Sequence, residues 1–226
     1  MSADDKLNRL RRYQKDILEF AKTNNTICVL ETGMGKTMVA IGLVQHIKQS
    51  AQAAGVTPKI TFFLAPTCNL TVQQADAARK ELKDVHVVAF VFTSFVLFSP
   101  KLLFSRVLFM CLVANGRCTG DTMTYSYDSW RSQFGQPNSL VCMTPQVFLD
   151  SLRHAFVSLE EVDLVVFDEC HNSKKNNPCN LVMTEFYFPA KDAELPVPKI
   201  LGLTASPATG LHKFRQQLEQ LERDLD

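Results

Sequence analysis

The amino-acid sequence predicts an α/β fold: a parallel β-sheet with helices packed on both faces. Three observations carry this. Short apolar runs of strand length, at 27–30, 59–64, 85–90, 140–143, 162–167 and 199–203, alternate with segments whose apolar residues recur at helical spacing. Polar motifs follow several of these runs at once, as they do where parallel strands deliver their loops to one edge of a sheet. The first run, Ile27-Cys28-Val29-Leu30, breaks into Glu31-Thr32-Gly33-Met34-Gly35-Lys36-Thr37 and then a helical pattern, which is the strand–loop–helix order of a phosphate-binding loop.

At 226 residues, with 46% hydrophobic and 21% charged residues, the chain has the size and composition of one cored domain. Ser2 followed by Asp5 resembles a capping box that opens a first helix, with Leu7, Leu10, Ile17 and Leu18 on its apolar face. Arg9, Arg11, Arg12 and Lys15 crowd its middle and read as a solvated face. Asn24 and Asn25 end it. After the loop, Val39, Ala40, Leu43, Val44 and Ile47 form the stripe of a sheet-packed helix. The second strand ends in Ala65-Pro66-Thr67, and the next helix takes its start signal from Asn69 or Thr71. Thr144-Pro145 opens a helix through Val147, Phe148 and Leu152, with proline in the first turn. The most strand-like run, 162–167, leads into Asp168-Glu169-Cys170-His171. A polar, proline-dotted stretch spans 174–198, the last strand leads into Thr204-Ala205-Ser206-Pro207, and Leu211, Phe214, Leu218, Leu221 and Leu225 mark a tail helix.

Gly33 and Gly35 let loop N–H groups turn inward around a phosphate, Lys36 adds charge, and the Thr37 hydroxyl stands where a Mg²⁺ ligand belongs. The general pattern asks for glycine where Leu30 stands, and glycine-rich helix starts also occur for packing alone. Adjacent carboxylates at the end of a buried strand suit phosphoryl chemistry: Asp168 holds Mg²⁺, and Glu169 orients and deprotonates the attacking water. An ordinary solvated strand end is the other reading of that pair.

From 87 to 114 the chain is unusually apolar. Five of the sixteen phenylalanines lie between Phe92 and Phe109, but Pro100, Lys101 and Arg106 interrupt the run, so a buried hairpin or helix fits better than a membrane span. Asn115-Gly116 signals a turn, and 117–138 reads as a surface loop with one amphipathic piece around Trp130 and Phe134. Seven cysteines without a C-x-x-C pair read as free thiols of a reducing compartment, with Cys170, His171 and Cys179 the weaker case for a metal. The acidic N-terminus carries no signal peptide, and a net charge of +1 provides no global basic field.

Taken in order, Arg11-x-Tyr13-Gln14, Glu31 to Thr37, Ala65-Pro66-Thr67, Thr144-Pro145-Gln146, Asp168-Glu169-Cys170-His171 and Leu203 to Pro207 resemble the first RecA-like domain of a superfamily 2 helicase. Within that superfamily the chain is most similar to the DECH-box group of Dicer helicase domains and RIG-I-like receptors, which tolerate leucine at the position of Leu30. The resemblance implies a RecA-like P-loop NTPase fold with ATP and Mg²⁺ as cofactors. It implies that Arg11 packs on the adenine and Gln14 reads its edge, and that Thr32, Gly33, Met34, Gly35, Lys36 and Thr37 hold the phosphates. Lys36, Asp168, Glu169 and His171 would be catalytic, with Thr37 and Asp168 on the metal. His171, Thr204 and Ser206 would couple nucleotide to RNA, and Ala65, Pro66, Thr67, Thr144 and Pro145 would touch the RNA backbone. Simple helix caps are the lesser alternative reading of Thr67 and Thr144.

The implied function is the ATP-binding half of an RNA helicase that couples hydrolysis to double-stranded RNA, in the cytoplasm or nucleus and without a membrane. The helicase unit covers 1–226, with an apolar insert at about 91–113 that has no counterpart in the family, a lineage-specific hairpin or a translated intron. The second RecA-like domain, which would act in cis, does not follow Asp226, so the isolated chain is expected to turn ATP over poorly. A non-catalytic RNA-binding module on the same fold and a membrane-anchored P-loop protein are the competing readings.

Overall fold

The structure, a computed structural model, describes residues 10–92, 110–114, 117–119, 130–132, 134–172 and 177–205. The described residues form an eight-stranded sheet. In chain order the elements are α1 (Arg12–Thr23), β1 (Thr26–Val29), α2 (Lys36–Ala53), β2 (Ile60–Leu64), α3 (Cys68–Glu81), β3 (His86–Phe92), β4 (Met110–Ala114), β5 (Arg117–Thr119), β6 (Ser139–Met143), α4 (Pro145–Arg153), β7 (Val162–Asp168), α5 (Pro178–Val182), α6 (Phe188–Asp192) and β8 (Lys199–Thr204).

Across the sheet the strands run β1-β8-β7-β2-β6-β3-β4-β5. The first six are mutually parallel, and β4 and β5 add two antiparallel strands at the β3 edge. A parallel sheet buried on both sides demands apolar residues at every position, and β2 and β6 are buried throughout. Alternate residues serve opposite layers. Phe62, Leu64, Val141, Met143, Val165 and Phe167 pack with α4, Trp130, Phe134 and Tyr187. Phe63, Leu140, Cys142, Leu164, Val166, Leu201 and Leu203 pack with α1, α2 and α3.

The end of the sheet away from the motif loops is tied by polar contacts. Lys48, near the end of α2 and 2% exposed, donates from Nζ to Lys59 O and to Asp163 Oδ2 at 2.7 Å. The fully buried Thr61 hydroxyl donates to Asp163 Oδ1 at 2.6 Å. Asn25, between α1 and β1, donates to the Tyr187 hydroxyl at 2.9 Å and accepts from Ile200 N–H at 2.9 Å.

Several expectations need correction. The predicted first helix does not run unbroken past Leu10: Leu10 lies in a bend and Arg11 is extended at φ −65°, ψ 155°, so α1 starts at Arg12. The opening at Ser2 and Asp5 lies outside the described residues. The next start signal is neither Asn69 nor Thr71. Thr67 caps α3 by accepting from Leu70 N–H at 3.3 Å, and Thr71 turns its hydroxyl back to Thr67 O at 3.0 Å. Part of the expected surface loop is strand, since Arg117–Thr119 pairs with β4.

The polar stretch after 174 is largely helical. Asn177 caps α5 by accepting from Cys179 N–H at 2.9 Å, and a π-helical turn, Met183–Tyr187, joins α5 to α6. The wide turn has a cause four residues along: Pro189 lacks an N–H and would crowd the Glu185 carbonyl in a regular α-helix. In the apolar insert, β3 and β4 pair antiparallel from Ala89↔Val113 to Phe92↔Met110, which places hairpin strands at its two flanks. Residues 93–109 lie outside the described residues, as do Ser206 and the expected tail helix. Among the described residues, no helix is long and apolar enough to cross a membrane.

Candidate nucleotide site

Because β1, β8, β7, β2 and β6 are parallel neighbours, the segments leaving their carboxyl ends stand side by side in the order phosphate loop, Thr204, Asp168, Ala65-Pro66-Thr67 and Thr144-Pro145. The pairing continues past the strands. Leu30 N–H donates to Thr204 O at 3.0 Å, and Ala65 N–H donates to Met143 O at 3.0 Å.

The loop has the conformation its glycines predict. Gly33 lies at φ +83° and Gly35 at φ +82°, both in the left-handed region. A Cβ on Gly35 would sit 2.3 Å from Gln14 Nε2, so this glycine also makes room for a side chain. α2 begins at Lys36, and the first N–H groups of any helix lack partners within it. Met38 N–H turns to Gly35 O at 3.0 Å, and the start of this 18-residue helix is the positive end of its dipole, where an anion is favoured. Lys36 Nζ rests on Leu30 O at 3.0 Å, which explains why leucine serves at position 30: the main chain of that residue makes the contacts. Thr37 is half-buried and Thr32 exposed.

Asp168 ends β7 and is 9% exposed. Its Oδ1 accepts from Glu169 N–H at 3.1 Å, and its Oδ2 accepts from Gln74 Nε2 at 3.2 Å. Burial, then the neighbouring Glu169 charge, push its carboxyl above the usual range, opposed by the Glu169 N–H, Lys36 and Gln74. Glu169 adopts φ +51°, a strained value for a residue with a side chain. His171 Nδ1 lies 3.0 Å from the Thr204 hydroxyl and 3.3 Å from Glu169 Oε2, so one imidazole bridges the ends of β7 and β8. Burial raises the Cys170 thiol to about 12, which makes it a packing residue and not a nucleophile.

The raised Asp168 pKa has a testable sign. A carboxyl that binds its proton more tightly folded than unfolded contributes stability below its unfolded pKa and loses it as pH rises through the folded value. The uncharged Asp168→Asn is therefore expected to be more stable than wild type at neutral pH. Urea unfolding at about pH 4 and about pH 7 checks this, the gap widening at the higher pH.

The structure places the remaining expected residues unevenly. Gln14 is 6% exposed and its amide is already engaged: Nε2 donates to Met34 O at 3.0 Å and Gly35 O at 3.3 Å, and Oε1 accepts from Arg11 N–H at 2.8 Å. Reading a base edge would require it to exchange those bonds. Arg11 is exposed, with Nη1 at 3.2 Å from the Tyr13 hydroxyl and 4.0 Å from Met34 Sδ. Pro66 and Thr67 are exposed and Thr144 and Pro145 half-buried, whereas Ala65 is fully buried and offers no side-chain surface to RNA. Thr67 is a helix cap in fact; Thr144 holds the N-cap position without a side-chain cap bond.

Two residues at the site carried no assigned role. Tyr13 donates from its hydroxyl to Met34 O at 2.9 Å. Gln74 lies on the stripe of α3 that faces the sheet, between the buried Thr71 and Ala78. A polar side chain on that stripe was the available signal.

A parallel α/β sheet with a glycine loop at one strand end and an Asp-Glu-Cys-His segment two strands away defines a RecA-like domain of the P-loop class. A family model described as DEAD/DEAH box helicase matches residues 11–214, and the chain belongs to that family. It is similar to the Endoribonuclease Dicer homolog 3b of Oryza sativa subsp. japonica, 36% identical over 216 residues, covering 93% of this chain and 11% of the relative. Dicer-like protein 1 of Cryphonectria parasitica is 33% identical over 215 residues, covering 94% and 12%. The Endoribonuclease Dicer homolog 1 of Arabidopsis thaliana is 36% identical over 200 residues, covering 87% and 9%. The chain thus spans about a tenth of the length of these relatives. In fold it is similar to the helicase domain of Pyrococcus furiosus Hef, with a TM-score of 0.64 at 24% identity over 96% of this chain and 37% of that one.

Proposed function

We propose that this chain is the ATP-binding half of a helicase or translocase that couples ATP hydrolysis to binding of double-stranded RNA. The observation that carries the reading is the shared edge on which the glycine loop, Lys36, the buried Asp168 and the His171–Thr204 contact stand beside the exposed Pro66-Thr67 turn. The loop fits a polyphosphate, with two left-handed glycines, an open helix start and a lysine. Thr37 and Asp168 offer the hard oxygen ligands that Mg²⁺ takes. Mg²⁺, when bound, supplies charge neutralisation at the phosphates.

In this reading Lys36 and the loop N–H groups hold the phosphates, Asp168 anchors the cation, and Glu169 orients water and takes its proton. His171 reports the state of Glu169 to Thr204 through the two contacts of its Nδ1. Double-stranded RNA is favoured as the partner by similarity to proteins named as endoribonucleases, and by a net charge of +1, which suits reading of duplex shape through a few backbone contacts. The buried thiols of Cys28, Cys142 and Cys170 agree with a reducing, cytoplasmic setting.

Among the described residues Lys36 and Arg11 are cations beside the loop, and phosphoryl transfer in this class draws on arginines from a second RecA-like domain. The chain alone is accordingly expected to bind ATP and hydrolyse it slowly. Binding of a fluorescent ATP analogue, measured with and without Mg²⁺ and with duplex RNA, single-stranded RNA or duplex DNA, tests the proposal. Mg²⁺-dependent binding that duplex RNA tightens is the expected result. Binding indifferent to Mg²⁺ sinks the nucleotide reading, and brisk RNA-stimulated turnover by the 226-residue chain sinks the claim of slow hydrolysis.

A further inference from the structure

One contact to Asp168 has no part in the scheme above. Gln74 reaches across from α3 and donates from Nε2 to Asp168 Oδ2 at 3.2 Å. The terminal torsion of an aspartate is broad, so backbone placement alone leaves the carboxylate plane loosely defined. Glu169 N–H restrains one oxygen at 3.1 Å and Gln74 restrains the other. Each oxygen keeps further lone-pair capacity for a cation or its water. A neutral amide suits the task, since lysine or arginine there would compete with the cation for the carboxylate charge.

The same side chain has a fixed relation to the exposed Pro66-Thr67 turn. Thr67 caps α3 through Leu70 N–H, and one turn on, Thr71 is tied to Thr67 O by its N–H at 2.9 Å and its hydroxyl at 3.0 Å. Gln74 is the next residue along that stripe, three positions after Thr71. A displacement of the Pro66-Thr67 turn therefore carries the first turns of α3, and Gln74 with them, relative to Asp168.

We propose that Gln74 is a positioning residue, which fixes the Asp168 carboxylate for a divalent cation and links its orientation to the Pro66-Thr67 turn. The inference rests on the nucleotide-site reading above. Loss of a hydrogen bond that orients a metal-binding carboxylate typically alters metal affinity about 10- to 100-fold.

The test uses the full 226-residue chain and the Mg²⁺ concentration needed for half-maximal binding of the fluorescent ATP analogue. Gln74→Met, nearly isosteric and without a donor, is expected to raise that concentration about tenfold. Metal-free binding and the melting temperature should stay at wild-type values. Gln74→Met combined with Asp168→Asn should need no more Mg²⁺ than Asp168→Asn alone, and duplex RNA should lower the Mg²⁺ requirement of wild type but not of Gln74→Met. Gln74→Ala provides a second donor-free variant should the methionine pack poorly.

An unchanged Mg²⁺ requirement in both Gln74 variants, or an effect that simply adds to that of Asp168→Asn, overturns the positioning role. A lower melting temperature with unchanged Mg²⁺ dependence assigns Gln74 a structural role and overturns it too. Equal RNA effects in wild type and Gln74→Met overturn the link to the turn. Wild-type binding that ignores Mg²⁺ is a separate result, because it removes the nucleotide reading itself.

Discussion

Asp163→Ala is expected to destabilise the chain by about 3–5 kcal/mol, seen as a lower urea midpoint, because it breaks a buried ion pair from one side. Lys48 would keep its ammonium at 2% exposure with only the Lys59 carbonyl as a partner, and the fully buried Thr61 hydroxyl would lose its acceptor. The present arrangement is already costly for the lysine: burial pulls the Lys48 pKa below its usual value in spite of the opposing pull from Asp163. Removing all three polar groups with Lys48→Met, Asp163→Leu and Thr61→Val should accordingly harm the fold less than Asp163→Ala alone. If the triple variant unfolds more readily than the single one, the pair contributes more than its desolvation costs.

Lys36→Ala is expected to weaken Mg²⁺-dependent ATP binding about a hundredfold or more while leaving the melting temperature nearly unchanged. The asymmetry follows from the contacts. In the structure the Lys36 ammonium donates to Leu30 O at 3.0 Å, a bond water can replace at a half-buried ammonium. Toward a polyphosphate it would supply a charge that no loop N–H can replace. Titration of the fluorescent analogue with Mg²⁺ gives the affinity, and thermal denaturation gives the stability. The variant also separates an ATP-driven machine from a passive RNA-binding module on the same fold: in the first, Lys36→Ala changes RNA affinity only when ATP is present.

Much of the fold could be read from the sequence because parallel strands buried on both faces leave uninterrupted apolar runs. Phe62-Phe63-Leu64 and Leu164-Val165-Val166-Phe167 are legible for that reason, and their residues do divide between the two cores. Gly33 and Gly35 were legible because only glycine takes their φ values without strain. The Asp168-Glu169 pair and Thr144-Pro145 follow strands in sequence, so their place at the edge was fixed once the strands were recognised as parallel.

What escaped depends on register and side-chain direction, which leave no local trace. Lys48 in a helix and Asp163 in a strand each look like solvent positions, and only the placement of α2 beside β2 and β7 brings them together. The same holds for Gln74 and Asp168, ninety-four residues apart. Gln14 was recognised by its motif, but its amide turns to the loop carbonyls. The helical run after Asn177 was hidden by its prolines, which occupy the first turn of α5 and the exit from a π turn, where proline is tolerated.

The Met34 carbonyl, held by Tyr13 and Gln14 together, has a kinetic consequence. Two donors from α1 fix the tip of the loop, so its ordering entropy is lost when the chain folds and not when a ligand arrives. Capture should then be limited by encounter and orientation, without a slow loop-closing phase. The residue following this helix by two positions, Asn25, grips Tyr187 and Ile200 at the far end of the sheet. α1 is therefore anchored at both of its ends, and the loop tip is held by a helix that is itself tied to the opposite end of the sheet.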